Sequence, residues 1–462
     1  MSALASAEGV EVRSSDGRRG VRLRLATLGR GAALERVDRV APSVEDNRVT
    51  YARSGIVEEY LHGPLGLEQR FTLGSAPDGE GDLALGMELD ASAVELTDDA
   101  RTAWLVSEDG LRVRYADLFV HDAAGDELEA WLETSESALL IRVAERGALY
   151  PITIDPLLSV ESKINAPDTA AWDRFGYSVA IDGDTAVIGT PFDVVAGDAS
   201  GSAYVFVRSG GVWTQQAKLV PADRARWDLF GSSVAVQGDR VVVGAVRDDA
   251  AGGRTAGGVY VFTRTGTIWT EEQKLAPTDL GPEDRFGWAV ALDGDRLLVG
   301  APYHPIATSV TGAAYVFERS AGTWSQVARL QASAPSAGDQ YGWTVALDGA
   351  TAVVGAPHDP DGVATGAVYV YTGGGASWSE QAVLRGGDSA AEDRFGESVA
   401  LDAAQLLVGA PHHDDLGSAS GAAYRFVRAG TIWSEEAELH ATDGQPADYF
   451  GFAVALDGDT AV

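Results

Sequence analysis

Histidine and aspartate side chains are concentrated in three loops in the second half of this 462-residue chain. Imidazole and carboxylate groups together can hold zinc or another transition metal, and they can also hydrogen-bond a ligand. Because the loops belong to separate segments and solvated polar loops have the same composition, we predict ligand binding without a metal. The predicted ligand-binding residues are His304, His358, Asp359, Asp361, His412, His413, Asp414 and Asp415.

Sequence motifs of common enzymes are missing from the chain. It contains no GxSxG elbow, no HExxH motif, no phosphate-binding GxxxxGK segment and no Rossmann fingerprint followed by an acidic residue. The absence of cysteine excludes disulfides, thiolate metal sites and a cysteine nucleophile. We therefore predict a protein that is not an enzyme and that has no catalytic residue.

The charge of the chain limits its partners. Its 68 acidic and 35 basic residues give a formal net charge of −33. Such a field repels a phosphate backbone, so we expect no nucleic-acid partner. No run of about 18 apolar residues is present, which predicts no membrane span, and the first ten residues have no features of an export signal.

The elements that position the loops follow from an aromatic-glycine pair that recurs about every 55 residues. Each unit of such a repeat buries its apolar face against its neighbours, so the period predicts a stack of similar units. An aspartate two residues before each pair is predicted to organise the loop backbone. The pairs are Phe175-Gly176, Phe230-Gly231, Phe286-Gly287, Tyr341-Gly342, Phe395-Gly396 and Phe450-Gly451.

The first unit reads as four antiparallel strands. Two short apolar runs, 177–181 and 185–189, are joined through Asp182-Gly183-Asp184, which is typical of a β-hairpin. Residues 201–207 and 212–219 follow as a third and a fourth strand. Four strands in about 55 residues are typical of a β-propeller blade.

The aromatic-glycine pair, followed by Gly-Ala-Pro as in Gly300-Ala301-Pro302 and Gly355-Ala356-Pro357, resembles the FG-GAP repeat of integrin α-type propellers and their bacterial relatives. The resemblance implies an all-β propeller over residues 158–462, with five complete four-stranded blades, a truncated sixth and seven blades at full length. Leu158 to Ile164 resembles a fourth strand that would close the ring. The resemblance also implies a secreted or cell-surface protein that binds other molecules.

Calcium loops of the DxDxDGxxD form occur in many blades of that family. The corresponding connections here are turns of two or three residues, such as Asp182-Gly183-Asp184 and Asp293-Gly294-Asp295. A turn this short cannot supply the six to eight oxygen ligands that calcium takes. We therefore predict that the family's calcium sites are not matched and that the chain has no cofactor.

Residues 1–157 precede the repeats and form a separate region. Short alternating runs such as 21–25, 111–115 and 140–143, separated by Gly, Asp, Ser and Pro clusters, predict a β-rich, sandwich-like N-terminal domain. The expected function of the whole chain is a non-catalytic extracellular or cell-surface binding or adhesion module that recognises a protein or glycan through one propeller face. Two alternatives are an accessory propeller of a larger secreted hydrolase or lyase, and a purely structural surface repeat protein.

Overall fold

The structure is a computed structural model. It describes residues 2–462 except 14–19, 46, 64–65, 98, 109, 136–137, 161–163, 169, 210–211, 250–252, 307–308, 359–364, 442–443 and 459. The described residues form an all-β protein, and none of them belongs to a helix that is long and apolar enough to span a membrane. The chain divides into two compact units, one of Met1–Ile164 with Arg208–Trp213 and one of Asn165–Val207 with Thr214–Val462.

Fifteen strands lie among the described residues of the N-terminal unit. They are β1 (Ser2–Ser6), β2 (Gly9–Arg13), β3 (Val21–Arg30), β4 (Ala33–Arg36), β5 (Ser43–Glu45), β6 (Arg48–Arg53), β7 (Ile56–Gly63), β8 (Gly66–Leu73), β9 (Leu83–Asp90), β10 (Ala93–Leu96), β11 (Ala103–Val106), β12 (Arg112–His121), β13 (Ala130–Ser135), β14 (Ala138–Val143) and β15 (Ile152–Val160).

These strands make two antiparallel sheets that share one core. One sheet has the order β1-β2-β3-β9-β14-β13, with β4 beside β3, and the other has the order β10-β11-β12-β15-β8-β7-β6-β5. Alternate residues point inward, as Leu23 and Leu85 do from the first sheet and Phe71 and Val113 do from the second, and all four are fully buried. Period-two burial from both sheets into one core is the arrangement that a β-sandwich requires.

Strand β15 differs from the sequence prediction. Leu158 is paired with Tyr115 of β12 and with Leu67 of β8, and its side chain is fully buried in the N-terminal core. The sequence predicts a propeller strand from Leu158, but residues 158–160 continue β15 of the N-terminal sheet, and the inward alternation that starts at Ile152 extends to Leu158. Residues 161–163 of the predicted strand lie outside the described residues.

In the described part of the repeats there are five four-stranded sheets, here called blades one to five, followed by a hairpin. Their strands are β16 (Ser178–Asp182), β17 (Thr185–Thr190), β18 (Val194–Val195), β19 (Asp198–Ala199), β20 (Ser202–Ser209), β21 (Val212–Leu219), β22 (Phe230–Gln237), β23 (Arg240–Ala245), β24 (Gly258–Thr265), β25 (Ile268–Leu275), β26 (Val290–Asp293), β27 (Arg296–Ala301), β28 (Pro305–Ile306), β29 (Ser309–Val310), β30 (Ala313–Ser320), β31 (Thr323–Leu330), β32 (Thr344–Asp348), β33 (Thr351–Ala356), β34 (Ala367–Gly374), β35 (Ser377–Leu384), β36 (Ser398–Asp402), β37 (Gln405–Ala410), β38 (Ala422–Ala429), β39 (Ile432–Leu439), β40 (Leu456–Asp457) and β41 (Thr460–Ala461).

Each blade is an antiparallel meander. The strand orders are β16-β17-β20-β21, β22-β23-β24-β25, β26-β27-β30-β31, β32-β33-β34-β35 and β36-β37-β38-β39. The first strands of successive blades lie next to one another, and β40 lies next to β36. The four-stranded unit read from the sequence is therefore confirmed, whereas a closed seven-bladed ring stays a prediction.

Four hydrophobic clusters lie between successive blades. Each joins the second and third strands of one blade to those of the next, as Val205 of blade one and Val243 of blade two do. The repeated tryptophans of strand four pack against these clusters at Trp269, Trp324 and Trp433. They are packing residues there, because core aromatics bury large apolar area between blades.

The Phe-Gly pair joins each blade to the one before it. The backbone of Phe230 forms a bridge with Gly201 of blade one, and its ring packs edge-on against Tyr260 of its own blade. Gly231 has a φ of 93°, and a Cβ atom there would lie 2.3 Å from the carbonyl oxygen of Ser202. Only glycine allows this positive φ together with so close a backbone approach.

The hairpin turns between strands one and two also link successive blades, at the end of the strands away from the Phe-Gly junctions. The Asp182 carboxylate accepts a hydrogen bond from the Gly238 amide at 2.6 Å, and Asp293, Asp348 and Asp402 repeat this contact with the next blade. These aspartates therefore hold neighbouring turns together, which gives them a structural role in the blade-to-blade contact.

Candidate functional site

A central pocket of about 620 Å³ is formed by the blades where their first strands meet. The residue directly after the glycine of every aromatic-glycine pair lines it. These six residues are Tyr177, Ser232, Trp288, Trp343, Glu397 and Phe452. One equivalent position per repeat therefore converges on one pocket, and the side chain at that position changes from blade to blade.

The aromatic side of the central pocket is built from two tryptophans. The rings of Trp288 and Trp343 lie 4.6 Å apart, and the ring of Tyr303 lies 5.8 Å from Trp288. The Arg285 guanidinium lies over the Tyr303 ring at 4.4 Å. Arg285 has a φ of 56°, and the residue before the aromatic is left-handed in all six repeats, which is rare outside glycine.

A charged group is placed among these rings. Glu397 lines the central pocket, and burial raises the pKa of its carboxyl group. Its Oε2 atom is buried without a hydrogen-bond partner. Arg247 and Arg285 also line the pocket. A buried acceptor without a partner is costly, so a ligand that donates a hydrogen bond would stabilise this carboxyl group.

The predicted histidines separate into two sets. His358 and His412 directly follow the proline of Gly-Ala-Pro, at the position where Phe192 and Arg247 line the central pocket in blades one and two. Both are half-buried, and burial together with the nearby Arg394 charge lowers the pKa of each. They therefore belong to the same face as the pocket.

His304 and His413 stand one residue later and are buried inside their blades. His304 Nδ1 lies 2.7 Å from Asp284, and His413 Nδ1 lies 3.0 Å from Asp393. Each acceptor is the aspartate two residues before the aromatic-glycine pair. In all six repeats that aspartate also accepts a hydrogen bond from a loop amide, so its predicted structural role is confirmed.

The predicted aspartates also differ in position. Asp414 is exposed, and its carboxylate accepts a hydrogen bond from the Ala419 amide at 2.7 Å. Asp415 is exposed and faces His413. Asp359 and Asp361 lie outside the described residues.

A second set of equivalent positions surrounds the tyrosine of strand three, and we call it the polar cluster of a blade. In blade two it consists of Asp223, Asp248, Tyr260 and Lys274. Lys274 Nζ lies 2.7 Å from Asp223 and 2.8 Å from Asp248. Burial lowers the pKa of Lys274, but the bonds to both carboxylates outweigh it and raise the pKa overall. Blade one repeats this cluster with Asp168, Asp193, Tyr204 and Lys218.

The strand-four residue of the polar cluster differs in the later blades. In blade three Arg329 takes the place of the lysine and pairs with Asp279 at 2.7 Å. In blade four Val383 is paired with Tyr369. In blade five Glu438 is paired with Tyr424, so an acid stands where blades one and two have a lysine.

The polar cluster of blade five brings four possible metal ligands together. Candidate ligand atoms of Asp388, His413, Asp415 and Glu438 all lie within 4.8 Å of one another, and no other such group of three or more was found in the described residues. His413 Nε2 lies 3.3 Å from Asp415 and from Glu438, and 3.9 Å from Asp388.

Electrostatics in the blade-five cluster are governed by its carboxylates. Burial and the adjacent Asp388 charge raise the pKa of Glu438. Burial lowers the pKa of His413, but its bond to Asp393 and the Asp415 charge outweigh burial and raise it. His440 lies beside them, with Nε2 3.1 Å from Glu438.

Asp388 and Glu438 were not predicted as site residues, because they come from a different loop and from strand four. One signal in the sequence could have found them. The strand-four positions of Lys218, Lys274 and Glu438 share one phase of the repeat, so a change from base to acid is visible once the repeats are aligned.

Comparison with known proteins agrees with the repeat. The family model described as FG-GAP repeat matches residues 158–206, 213–262, 269–317, 324–371, 378–426 and 433–462, which together make up more than half of the chain. A search of curated proteins found no match. FG-GAP repeats form β-propeller modules that are often part of surface or secreted proteins. This chain belongs to the FG-GAP repeat family.

Proposed function

We propose that this protein is a non-catalytic binding module that recognises a glycan of a cell surface or extracellular matrix through the central pocket. The observation that carries the proposal is the convergence of one variable residue from each repeat on that pocket. A repeated scaffold with a variable residue at one position per repeat is a common way to build a recognition surface.

The chemistry of the pocket favours a glycan over an apolar ligand. Sugar rings stack their C–H faces on aromatic side chains, and Trp288 and Trp343 supply such surfaces. Sugar hydroxyl groups donate and accept hydrogen bonds, and Glu397 and Arg285 supply their complements. A volume of about 620 Å³ also lies in the ordinary range of ligand sites.

The predicted partner class and location are part of this proposal. FG-GAP repeats are typical of extracellular proteins, which supports a glycan or a surface protein as the partner. The half-buried His358 and His412 would extend the binding surface around the mouth of the central pocket. A role outside the cell and a role in adhesion follow only if such a ligand is found.

The test is a glycan-array screen of the full chain, followed by calorimetric titration of the best hit. We expect a Trp288→Ala, Trp343→Ala double variant to lose at least about tenfold in affinity, since each stacked aromatic contributes roughly 1 kcal/mol. Trp172→Asn is the matched control, because Trp172 is exposed, does not line the pocket and has a positive φ that asparagine tolerates.

Two results would contradict the proposal. One is a glycan-array screen in which the full chain binds no glycan saturably. The other is a double variant that is folded by circular dichroism and binds with unchanged affinity.

A further inference from the structure

The polar cluster of blade five has a charge balance that differs from those of blades one and two. In blade two, two carboxylates share one lysine. In blade five, Asp388, Asp415 and Glu438 approach one another, and among the described residues no lysine or arginine forms an ion pair with them. The only positive charge that the described cluster itself can supply is on imidazole.

The orientation of His413 adds an independent observation. The side chain is about 4% exposed, and Nδ1 donates its hydrogen bond to Asp393 at 3.0 Å. With Nδ1 protonated, a neutral imidazole directs the lone pair of Nε2 at the oxygens of Asp415 and Glu438, both 3.3 Å away. Nε2 of His413 is buried without a hydrogen-bond partner, and Oε1 of Glu438 is buried with the Nε2 atom of His440 3.1 Å away. A cation between these atoms would satisfy both.

The spacing of the atoms suits a metal ion. Ligands that each lie about 2.1 Å from a metal are roughly 3 to 4 Å apart in tetrahedral or octahedral geometry. The three separations from His413 Nε2 are 3.3, 3.3 and 3.9 Å. Asp393 would act as the carboxylate that fixes the tautomer and the ring orientation of a ligating histidine.

We propose that blade five binds a first-row transition-metal dication through Asp388, His413, Asp415 and Glu438, at the place where blades one and two hold a lysine ammonium group. One imidazole favours zinc or manganese over calcium and magnesium, and three carboxylates match either metal. The site differs from the calcium loops of FG-GAP repeats, since it uses the loops on the other side of the blade. None of its four residues lines the central pocket, so it does not depend on the proposed glycan function.

The experiment is isothermal titration of the untagged, chelator-treated full chain with zinc chloride, manganese chloride and calcium chloride in separate runs. We expect one equivalent of zinc or manganese to bind, and calcium to bind much more weakly. Glu438→Lys should reduce the affinity at least about 100-fold, because it removes a ligand and installs the ammonium group of blade two. Asp388→Asn should reduce the affinity by about 10- to 100-fold.

Asp223→Asn is the matched control, because it removes the equivalent carboxylate from a blade whose lysine is present. We expect its zinc and manganese affinities to equal those of the unaltered protein. If Glu438→Lys fails to fold, Asp388→Asn still decides the question, since Asp388 is exposed and its loss leaves strand four intact.

Three results would overturn the proposal. No saturable zinc or manganese binding would mean that the imidazoles of His413 and His440 balance the carboxylates without a metal. If folded Glu438→Lys and Asp388→Asn bind the metal with the affinity of the unaltered protein, the metal binds elsewhere on this acidic surface. Calcium binding tighter than both transition metals would exclude the assigned ligand chemistry.

Discussion

Blade two and blade five place the same polar cluster on the same strands and balance its charge differently. In both, a tyrosine of strand three hydrogen-bonds a loop aspartate, Asp223 for Tyr260 and Asp388 for Tyr424. The residue paired with the tyrosine is Lys274 in one blade and Glu438 in the other. At this strand position of the cluster the charge therefore changes from positive in blade two to negative in blade five.

A second difference lies next to the first. In blade two the loop residue that faces the cluster is Asp248, which pairs with Lys274, and in blade five it is His413, which bonds Asp393. The lysine and the aspartate of blade two are thus replaced together by a glutamate and a histidine. This shows how a repeat can keep its Phe-Gly junctions and its core while one blade acquires different chemistry.

Blades two and five are joined to their neighbours through the glycines of the same Phe-Gly pairs. Replacing these glycines has the largest expected effect on the free energy of unfolding. Gly231 and Gly396 both have a φ of 93°, and a Cβ atom would lie 2.3 Å from Ser202 O at the first and 2.8 Å from Ala367 O at the second. We expect Gly231→Ala to lower the free energy of unfolding by about 3 kcal/mol or more and Gly396→Ala to lower it somewhat less. The strain of the positive φ and the overlap of the new Cβ atom with the carbonyl oxygen both contribute.

Urea unfolding followed by tryptophan fluorescence measures both variants. Gly55→Ala is a control in open space at positive φ, which isolates the cost of the backbone conformation. A Gly231→Ala protein with an unchanged midpoint would show that the blades are not joined as described.

Lys274→Glu converts the cluster of blade two toward that of blade five. Three carboxylates would then lie together without the lysine. We expect the free energy of unfolding to fall by roughly 2 to 3 kcal/mol. This is less than the cost of breaking a fully buried ion pair, because Lys274 is partly exposed. Thermal unfolding with and without zinc checks this, with Lys274→Met as the variant that removes charge without adding an acid. Equal midpoints for Lys274→Glu and the unaltered protein would contradict the assigned role of the lysine.

Much of the scaffold could be predicted from the sequence. The Asp182-Gly183 turn, the period of about 55 residues and the repeated tryptophans are local signals, and each corresponds to a strand end, a blade or a packed ring in the structure. The N-terminal sandwich followed from alternation alone. The sequence predicts a propeller strand from Leu158, and only the pairing of this residue with β12 and β8 assigns it to the N-terminal sheet.

The two candidate sites could be predicted only in part. The sequence analysis named His413 and Asp415 of the blade-five cluster, but the residues that form the central pocket follow the glycines directly and have no common chemical type. Trp288 and Glu397 share only a position in the repeat. The left-handed backbone at Arg285 has no sequence signal, because tertiary contacts impose it on a residue that is not glycine. Asp388 and His413 meet only after the blade has folded.

Asp228 offers a test of the neighbouring charges in blade two. Burial is the main reason that its pKa rises to about 6, with the Asp248 charge adding to it, against an ordinary value of 3.8. The folded protein therefore holds this proton between about pH 4 and pH 6 after the unfolded chain has lost it. Its contribution to stability is largest below pH 4 and falls as the pH rises to 6.

Asp228→Asn should remove the loss of stability that Asp228 causes as the pH rises. We expect the stability of the variant relative to the unaltered protein to increase by about 2 kcal/mol between pH 4 and pH 7, measured by urea unfolding at both values. The Asn side chain can still accept the hydrogen bond from the Ala225 amide. A stability difference that is the same at both pH values would show that Asp228 does not hold its proton in this range.

The smallest expected effect comes from Glu438→Lys measured without metal, and it separates stability from binding. The new ammonium group would lie beside Asp388, the counterpart of Asp223, and near Asp415, and repulsion among three acids would disappear. Because Asp388 and Asp415 are about half exposed, the gain should be roughly 1 kcal/mol or less. We expect the thermal midpoint of the chelator-treated variant to exceed slightly that of the chelator-treated unaltered protein, and zinc to raise only the midpoint of the latter. A variant that is less stable than the unaltered protein without metal would mean that blade five does not share the lysine geometry of blade two, and the comparison between the two blades would fail at that position.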